Sequence, residues 1–277
     1  MKTLSTARSH GGVQGVHSHA SDACACDMTF AVFVPPQAAE RPCPVLWYLS
    51  GLTCTHANVM DKGEYRRLAA ELGLIVVCPD TSPRGPDVPD EEDNWQFGKG
   101  AGFYVDATQQ PFARNYRMYS YVTQELPALI AENFPADMAR QGIFGHSMGG
   151  HGALTVALKN PDRFRSASAF APIVQPSTAN WSRPALEKYL GADEAAWRPY
   201  DACALVDDGA RFPGFLIDQG AADGFLDEGL KPWLFERACR EAGIPLALNM
   251  REGYDHSYFF ISTFMDDHLR WHADRLL

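Results

Sequence analysis

Residues 142–159 read GIFGHSMGGHGALTVALK, and the order of residue types in this stretch decides the fold. A short apolar run, Gly142-Ile143-Phe144, meets Gly145-His146-Ser147-Met148-Gly149, and a helical run follows. A serine between strand and helix must occupy a tight, strained turn, and flanking glycines let neighbouring backbone approach closely. The same turn aims a helix N-terminus, with its free N–H groups, at whatever the serine holds. The plainer reading, a Gly-rich turn in which Ser147 only caps a helix, does not need the strand in front of it. Ser147 is the candidate nucleophile.

Working outward, apolar runs alternate with helical patterns. PVLWYLS (44–50) and LIVVCPD (74–80) are continuously apolar, as in strands covered on both faces. SASAFAP (166–172), GFLIDQG (214–220) and LALNMRE (246–252) read as further strands, and 65–72, 119–133, 151–160, 231–242 and 258–276 as helices. This alternation predicts an α/β fold with one mainly parallel, doubly wound sheet. CDMTFAVFVPP (26–36) ends in a proline pair and predicts a strand leaving the sheet edge. Two long excursions interrupt the pattern, at 81–110 and 173–205. The first is rich in Pro, Gly and Asp and carries Trp95, Phe97, Phe103 and Tyr104. A stretch this long inside a compact domain reads as a binding excursion.

The chain has 277 residues and a net charge of −10, from 24 basic and 34 acidic residues. Nucleic acid or an anionic membrane would want clustered positive charge, so neither is an expected partner. The first 15 residues, MKTLSTARSHGGVQG, lack the apolar core of a secretory signal, and the longest apolar runs are too short to span a bilayer. Seven cysteines, an odd number, suit reduced thiols in a cytoplasm better than disulfides. Cys24 and Cys26 alternate onto one face of a predicted strand. Without a second cluster at ligand spacing they read as structural, so no metal and no cofactor is expected.

A serine hydroxyl attacks only after a base takes its proton, usually a histidine that a carboxylate orients. In this architecture the acid and then the histidine follow the serine in the chain. Of the three later histidines, His268 and His272 lie in DDHLRWHADRL (266–276), where a solvated helix face is expected. His256 follows a strand and a short turn, where strand C-termini gather round a crevice. For the acid, Asp223 in GAADGF (220–225) stands past a strand's end, whereas Asp218 is inside that strand and Asp227 suits a helix cap. Asp223 is the preferred candidate. The oxyanion hole needs two backbone donors. The N–H of Met148 is one candidate, and that of Leu52, in the turn after PVLWYLS, is the other.

Four stretches then carry a resemblance: 47–85, 97–130, 142–173 and 254–269. They resemble the S-formylglutathione hydrolases of the esterase D family, in the α/β-hydrolase superfamily. That resemblance implies a cytoplasmic, metal-free serine thioesterase, often a homodimer, that cleaves S-formylglutathione to glutathione and formate in formaldehyde detoxification. A broad short-chain carboxylesterase with the same triad is the alternative. It implies the triad Ser147, Asp223 and His256, and places Cys54 beside the site, where it is either a reactive thiol or a small buried hydrophobe. His146, Trp181 and Phe225 are expected with Cys54 in the substrate pocket, with Trp181, Leu52 and Met148 closing round a small acyl group. The family's Cys-Pro-Trp-Gly stretch is altered here to VQPSTANWSRPALEKYLG (174–191), which keeps Trp181. Lys99 and Lys231 are candidate partners for glutathione's carboxylates. Residues 1–15 are expected to be a flexible tail, and 16–277 a single α/β-hydrolase domain.

Overall fold

The computed structural model describes residues 1–91 and 93–277. Its strands are β1 (Lys2–Ser9), β2 (Gly12–Ser21), β3 (Cys26–Val34), β4 (Cys43–Leu49), β5 (Ile75–Pro79), β6 (Ala136–His146), β7 (Phe164–Phe170), β8 (Phe215–Gly220) and β9 (Leu246–Arg251). The described residues form one nine-stranded sheet in the order β1-β2-β3-β5-β4-β6-β7-β8-β9. It is antiparallel from β1 to β5 and parallel from β5 to β9. The helices are α1 (His56–Lys62), α2 (Arg66–Leu72), α3 (Met118–Ser120), α4 (Leu126–Asn133), α5 (Met148–Lys159), α6 (Arg183–Leu190), α7 (Ala202–Asp207), α8 (Pro232–Ala242) and α9 (Tyr258–Leu276). A π turn, Tyr121–Glu125, joins α3 to α4.

Every residue of β4, β5 and β8 is buried, which is why those runs carry no polar alternation. From β4 the chain goes to β5 on one side and then crosses back to β6 on the other. The winding therefore reverses beside β4, and a crevice opens past the C-terminal ends of β4 and β6.

Three expectations are corrected here. The first 15 residues do not form a separate tail: β1 pairs with β2 through a two-residue turn at His10 and Gly11, and β2 runs through residue 15. No residue of β1 is buried, so it has no apolar periodicity to read. β1 is accordingly the sheet edge, whereas β3 lies between β2 and β5 and its proline pair only ends the strand. Cys24 lies in the turn before β3 and is buried, so it shares no strand face with Cys26.

His268 and His272 are fully buried, not solvated. They fall on the stripe of α9 that also buries Phe260, Ile261, Met265, Leu269 and Ala273. Serines of β7 bond to both rings. His272 bonds Ser166 Oγ at 2.6 Å and Ser168 Oγ at 2.9 Å, and His268 Nδ1 bonds Ser168 Oγ at 2.8 Å. Asp218 Oδ2 lies 3.7 Å from His268 Nε2 and accepts from Arg251 at 2.9 Å, while Oδ1 accepts from Asn249 at 2.8 Å.

Burial depresses the basicity of both rings, His272 well below the usual imidazole range, while Asp218 partly restores that of His268. His151 in α5, bonded through Nε2 to the Phe103 carbonyl at 2.9 Å, is pushed by burial to about 4. Below about pH 6.5 the unfolded chain protonates these histidines and the folded one resists. Their contribution is thus full above about pH 6.5 and is lost as pH falls toward 4. For His151 alone, the fall from 6.5 to about 4 amounts to about 3 kcal/mol at 1.36 kcal/mol per pH unit. The melting temperature should therefore fall steeply below about pH 6. His151→Gln, which keeps a donor for Phe103, should make the acid limb shallower. A wild-type profile that stays flat to about pH 4.5 would contradict neutral buried histidines.

Candidate active site

Ser147 follows the last residue of β6 and precedes α5, with φ 57° and ψ −117°. A residue with a β-carbon held there costs about 1–3 kcal/mol, so the surroundings must over-determine it. Its N–H donates to the Phe170 carbonyl at 2.9 Å, and its carbonyl accepts from His151 N–H at 2.9 Å and Ile173 N–H at 3.3 Å. A β-carbon on Gly145 would fall on the Gly149 carbonyl, and one on Gly149 on the Leu49 carbonyl, so both positions must be glycine. The Ser147 hydroxyl makes no capping hydrogen bond to α5, which removes the reading of Ser147 as a simple helix cap.

The loops after β8 and β9 are stitched together, with Ala221 N–H donating to the Arg251 carbonyl and Ala222 N–H to the Tyr254 carbonyl, both at 2.9 Å. This brings Asp223 and His256 together: Asp223 Oδ2 accepts from His256 Nδ1 at 2.6 Å. The carboxylate also accepts from Phe225 N–H at 2.8 Å and Gln219 Nε2 at 3.1 Å, and its side chain is fully buried. Three donors fix its position. With Nδ1 donating, Nε2 of His256 keeps a free lone pair. Among the described residues, neither Nε2 of His256 nor Oγ of Ser147 forms a hydrogen bond. Both side chains line one cavity of about 200 Å³.

The cavity wall also contains Gly51, Leu52, Thr53, Cys54, Trp95, His146, Trp181 and Phe225. Every expected pocket residue is there except the Met148 side chain, which is buried and accepts from Phe103 N–H through Sδ at 3.3 Å. As the first residue of α5, Met148 turns its side chain into the core, so it does not close the acyl site. Its backbone N–H and that of Leu52 have no acceptor among the described residues. Trp95, which sequence reading placed only in a binding excursion, lies on the wall and is 49% exposed.

The His146 ring lies 4.4 Å from that of His256, and Phe225 packs edge-on against His256 at 5.0 Å. Burial, and then repulsion by a charged His256, hold His146 well below the usual imidazole range. His146 thus stays neutral beside the His256 ring. Burial raises the Cys54 thiol and outweighs the opposing influence of the nearby Tyr258 hydroxyl, so Cys54 is a thiol rather than a thiolate at neutral pH.

A second cavity of about 350 Å³ adjoins the first, shares Thr53 and Trp95 with it, and carries Asn94 and Lys99 with Asp90, Glu91 and Asp93. Lys231 lines neither cavity. Among the described residues no group of His, Cys, Asp and Glu could hold a metal ion, and no helix is long and apolar enough to cross a membrane.

Comparison with known proteins places the chain among esterases. A family model described as "Putative esterase" matches residues 21–271. The S-formylglutathione hydrolase of Mus musculus is 54% identical over 279 residues, covering 100% of this chain and 99% of the relative. That of Paracoccus denitrificans is 54% identical over 276 residues, covering 99% and 98%. The solved structure of an S-formylglutathione hydrolase from Agrobacterium tumefaciens superposes with a TM-score of 0.99 at 71% identity, covering all of both chains. A fluorophosphonate-binding serine hydrolase of Staphylococcus aureus shares the fold at 20% identity and a TM-score of 0.75, covering 95% of this chain and 98% of that one. Since identity exceeds one half along essentially the whole length, the chain belongs to the S-formylglutathione hydrolase family of esterases, on the α/β-hydrolase fold.

Proposed function

We propose that the chain hydrolyses S-formylglutathione to glutathione and formate, with Ser147 as nucleophile, His256 as base and Asp223 as its orienting acid. The observation that carries this reading is the 2.6 Å bond from His256 Nδ1 to Asp223, which leaves Nε2 as the acceptor in a cavity that Ser147 shares. His256 takes the Ser147 proton as Oγ attacks the formyl carbon. The oxyanion rests on the N–H groups of Leu52 and Met148, and the α5 N-terminus adds its dipole. Collapse expels the glutathione thiolate, which takes the proton from His256. Water, deprotonated by His256, then attacks the formyl ester of Ser147, releasing formate and restoring the hydroxyl.

The size of the cavity supports a small acyl group. About 200 Å³ between Leu52, Trp181 and Phe225 suits a formyl or acetyl unit, but a tripeptide must extend outside. The adjoining cavity past Thr53 and Trp95 offers Lys99 for a glutathione carboxylate and acidic side chains for its ammonium group. The proposed compartment is the cytoplasm, supported by seven free cysteines. All the proposed site residues come from one chain, so a homodimer is not required for the chemistry.

The test compares kcat/KM for S-formylglutathione with that for p-nitrophenyl acetate. The expected result is a preference for the glutathione thioester of about 100-fold or more, because the tripeptide contributes binding energy that the nitrophenyl group cannot. A preference for p-nitrophenyl acetate would favour a broad short-chain carboxylesterase using the same residues.

A further inference from the structure

The turn that presents Leu52 is strained. Cys54 N–H donates to the Gly51 carbonyl at 3.3 Å, closing a four-residue turn over Gly51-Leu52-Thr53-Cys54. Its third residue, Thr53, has φ 66°, a left-handed conformation that turns of this kind reserve for glycine or asparagine. A β-branched residue stays there only if its neighbours hold it. The turn is held at three points. Tyr104 Oη donates to the Ser50 carbonyl at 2.8 Å, and Thr53 N–H donates to the Gly100 carbonyl at 2.9 Å. The Cys54 carbonyl accepts twice, from Thr81 Oγ1 at 2.5 Å and from Arg84 Nη2 at 3.1 Å.

The last pair comes from the segment after β5. Arg84 Nε donates to both oxygens of Asp80, at 3.0 and 3.1 Å, and Asp80 is almost fully buried. Asp80 also accepts from Thr81 N–H at 2.7 Å, so one carboxylate orients both groups that grip the Cys54 carbonyl. Burial pushes the Asp80 carboxyl above the usual carboxylate range, and Arg84 opposes that shift, as expected of a pair whose charge is kept inside the protein.

We infer that Arg84, anchored by Asp80 and assisted by Thr81, is a positioning residue for the oxyanion hole: by pulling on the Cys54 carbonyl it keeps Thr53 left-handed and the Leu52 N–H aimed into the catalytic cavity. Arg84 touches no reacting atom. It acts where negative charge develops in the transition state, not where the substrate first binds. This inference rests on the proposed role of Leu52 as a donor.

The experiment uses Arg84→Gln and Thr81→Val in the full chain, assayed with p-nitrophenyl acetate and with phenylboronic acid, which forms a tetrahedral adduct on a catalytic serine. Thr81→Val reaches the same carbonyl without disturbing the Asp80–Arg84 pair, so it remains informative if Arg84→Gln folds poorly. Losing an oxyanion donor outright typically costs about 100-fold or more, so misaiming one should lower kcat by about tenfold for Arg84→Gln, and by less for Thr81→Val. KM should stay within about twofold, and the boronate inhibition constant should rise in step with the loss in kcat. Thr53→Gly added to Arg84→Gln should restore most of the lost kcat, because glycine adopts the left-handed turn without a brace. A merely structural role predicts none of that recovery. Unchanged kcat in both variants, a fall in kcat without weaker boronate binding, or no recovery with Thr53→Gly would overturn the inference. If Ser147→Ala still binds the boronate like wild type, it is the reading of the site that fails, not the brace.

Discussion

Ser147→Ala should lower turnover on the order of 10⁶-fold and abolish acyl-enzyme formation, while the melting temperature stays within about 2 °C of wild type. The stability half of this expectation follows from the local geometry. The hydroxyl does not cap α5, so removing it costs the folded state no capping bond. Alanine keeps the β-carbon, and with it the strain at φ 57° and ψ −117°. Ser147→Gly should behave differently. Relief of about 1–3 kcal/mol of backbone strain outweighs the added freedom of an unfolded glycine, which costs about 0.4–1 kcal/mol. The glycine variant should therefore melt a few degrees above wild type and be just as inactive. The pair of variants separates chemistry from fold: calorimetry reads the strain, and a burst assay with p-nitrophenyl acetate reads the nucleophile. Wild-type turnover in either variant would move the nucleophile elsewhere.

Much of this was legible in the sequence, for a physical reason. β4, β5 and β8 are buried on both faces, so their residues form unbroken apolar runs. A serine between such a run and a helix has few geometries open to it. Chain order then selected His256 and Asp223, which the stitched loops after β8 and β9 bring to 2.6 Å. What the sequence hid depends on direction or on distant partners. β1 buries nothing, so its pairing left no hydrophobic trace. His268 and His272 look like surface residues until Ser166 and Ser168, about a hundred positions away, supply their hydrogen bonds. Met148 stands at the elbow in the sequence, but only the fold reveals that its side chain enters the core. The grip of Arg84 on the Cys54 carbonyl spans thirty positions and carries no motif.

Asp223→Asn should lower kcat by about 10⁴-fold with little change in fold, through the tautomer of one ring. In wild type the carboxylate can only accept, so Nδ1 of His256 must carry the proton and Nε2, the proposed base, keeps its lone pair. Phe225 N–H donates to the other oxygen, Oδ1, and a backbone donor cannot turn, so an asparagine keeps its carbonyl oxygen there. Its amide nitrogen then faces Nδ1 and donates, which moves the ring proton to Nε2. A protonated Nε2 cannot accept from Ser147, although every heavy atom is nearly where it was. The matching control is Asp218→Asn, since Asp218 is the buried acid that sequence reading could not fully set aside. It sits among Arg251, Asn249 and His268, within the sheet and not on the cavity wall. Removing its charge leaves the Arg251 guanidinium without its buried partner, so the expected loss is one of stability, about 3–5 kcal/mol, with kcat of the folded fraction largely kept. Kinetics and melting curves on the two variants should therefore show opposite patterns, one losing rate and the other losing stability. An Asp223→Asn enzyme within about tenfold of wild-type kcat would mean that the carboxylate does not set the His256 tautomer.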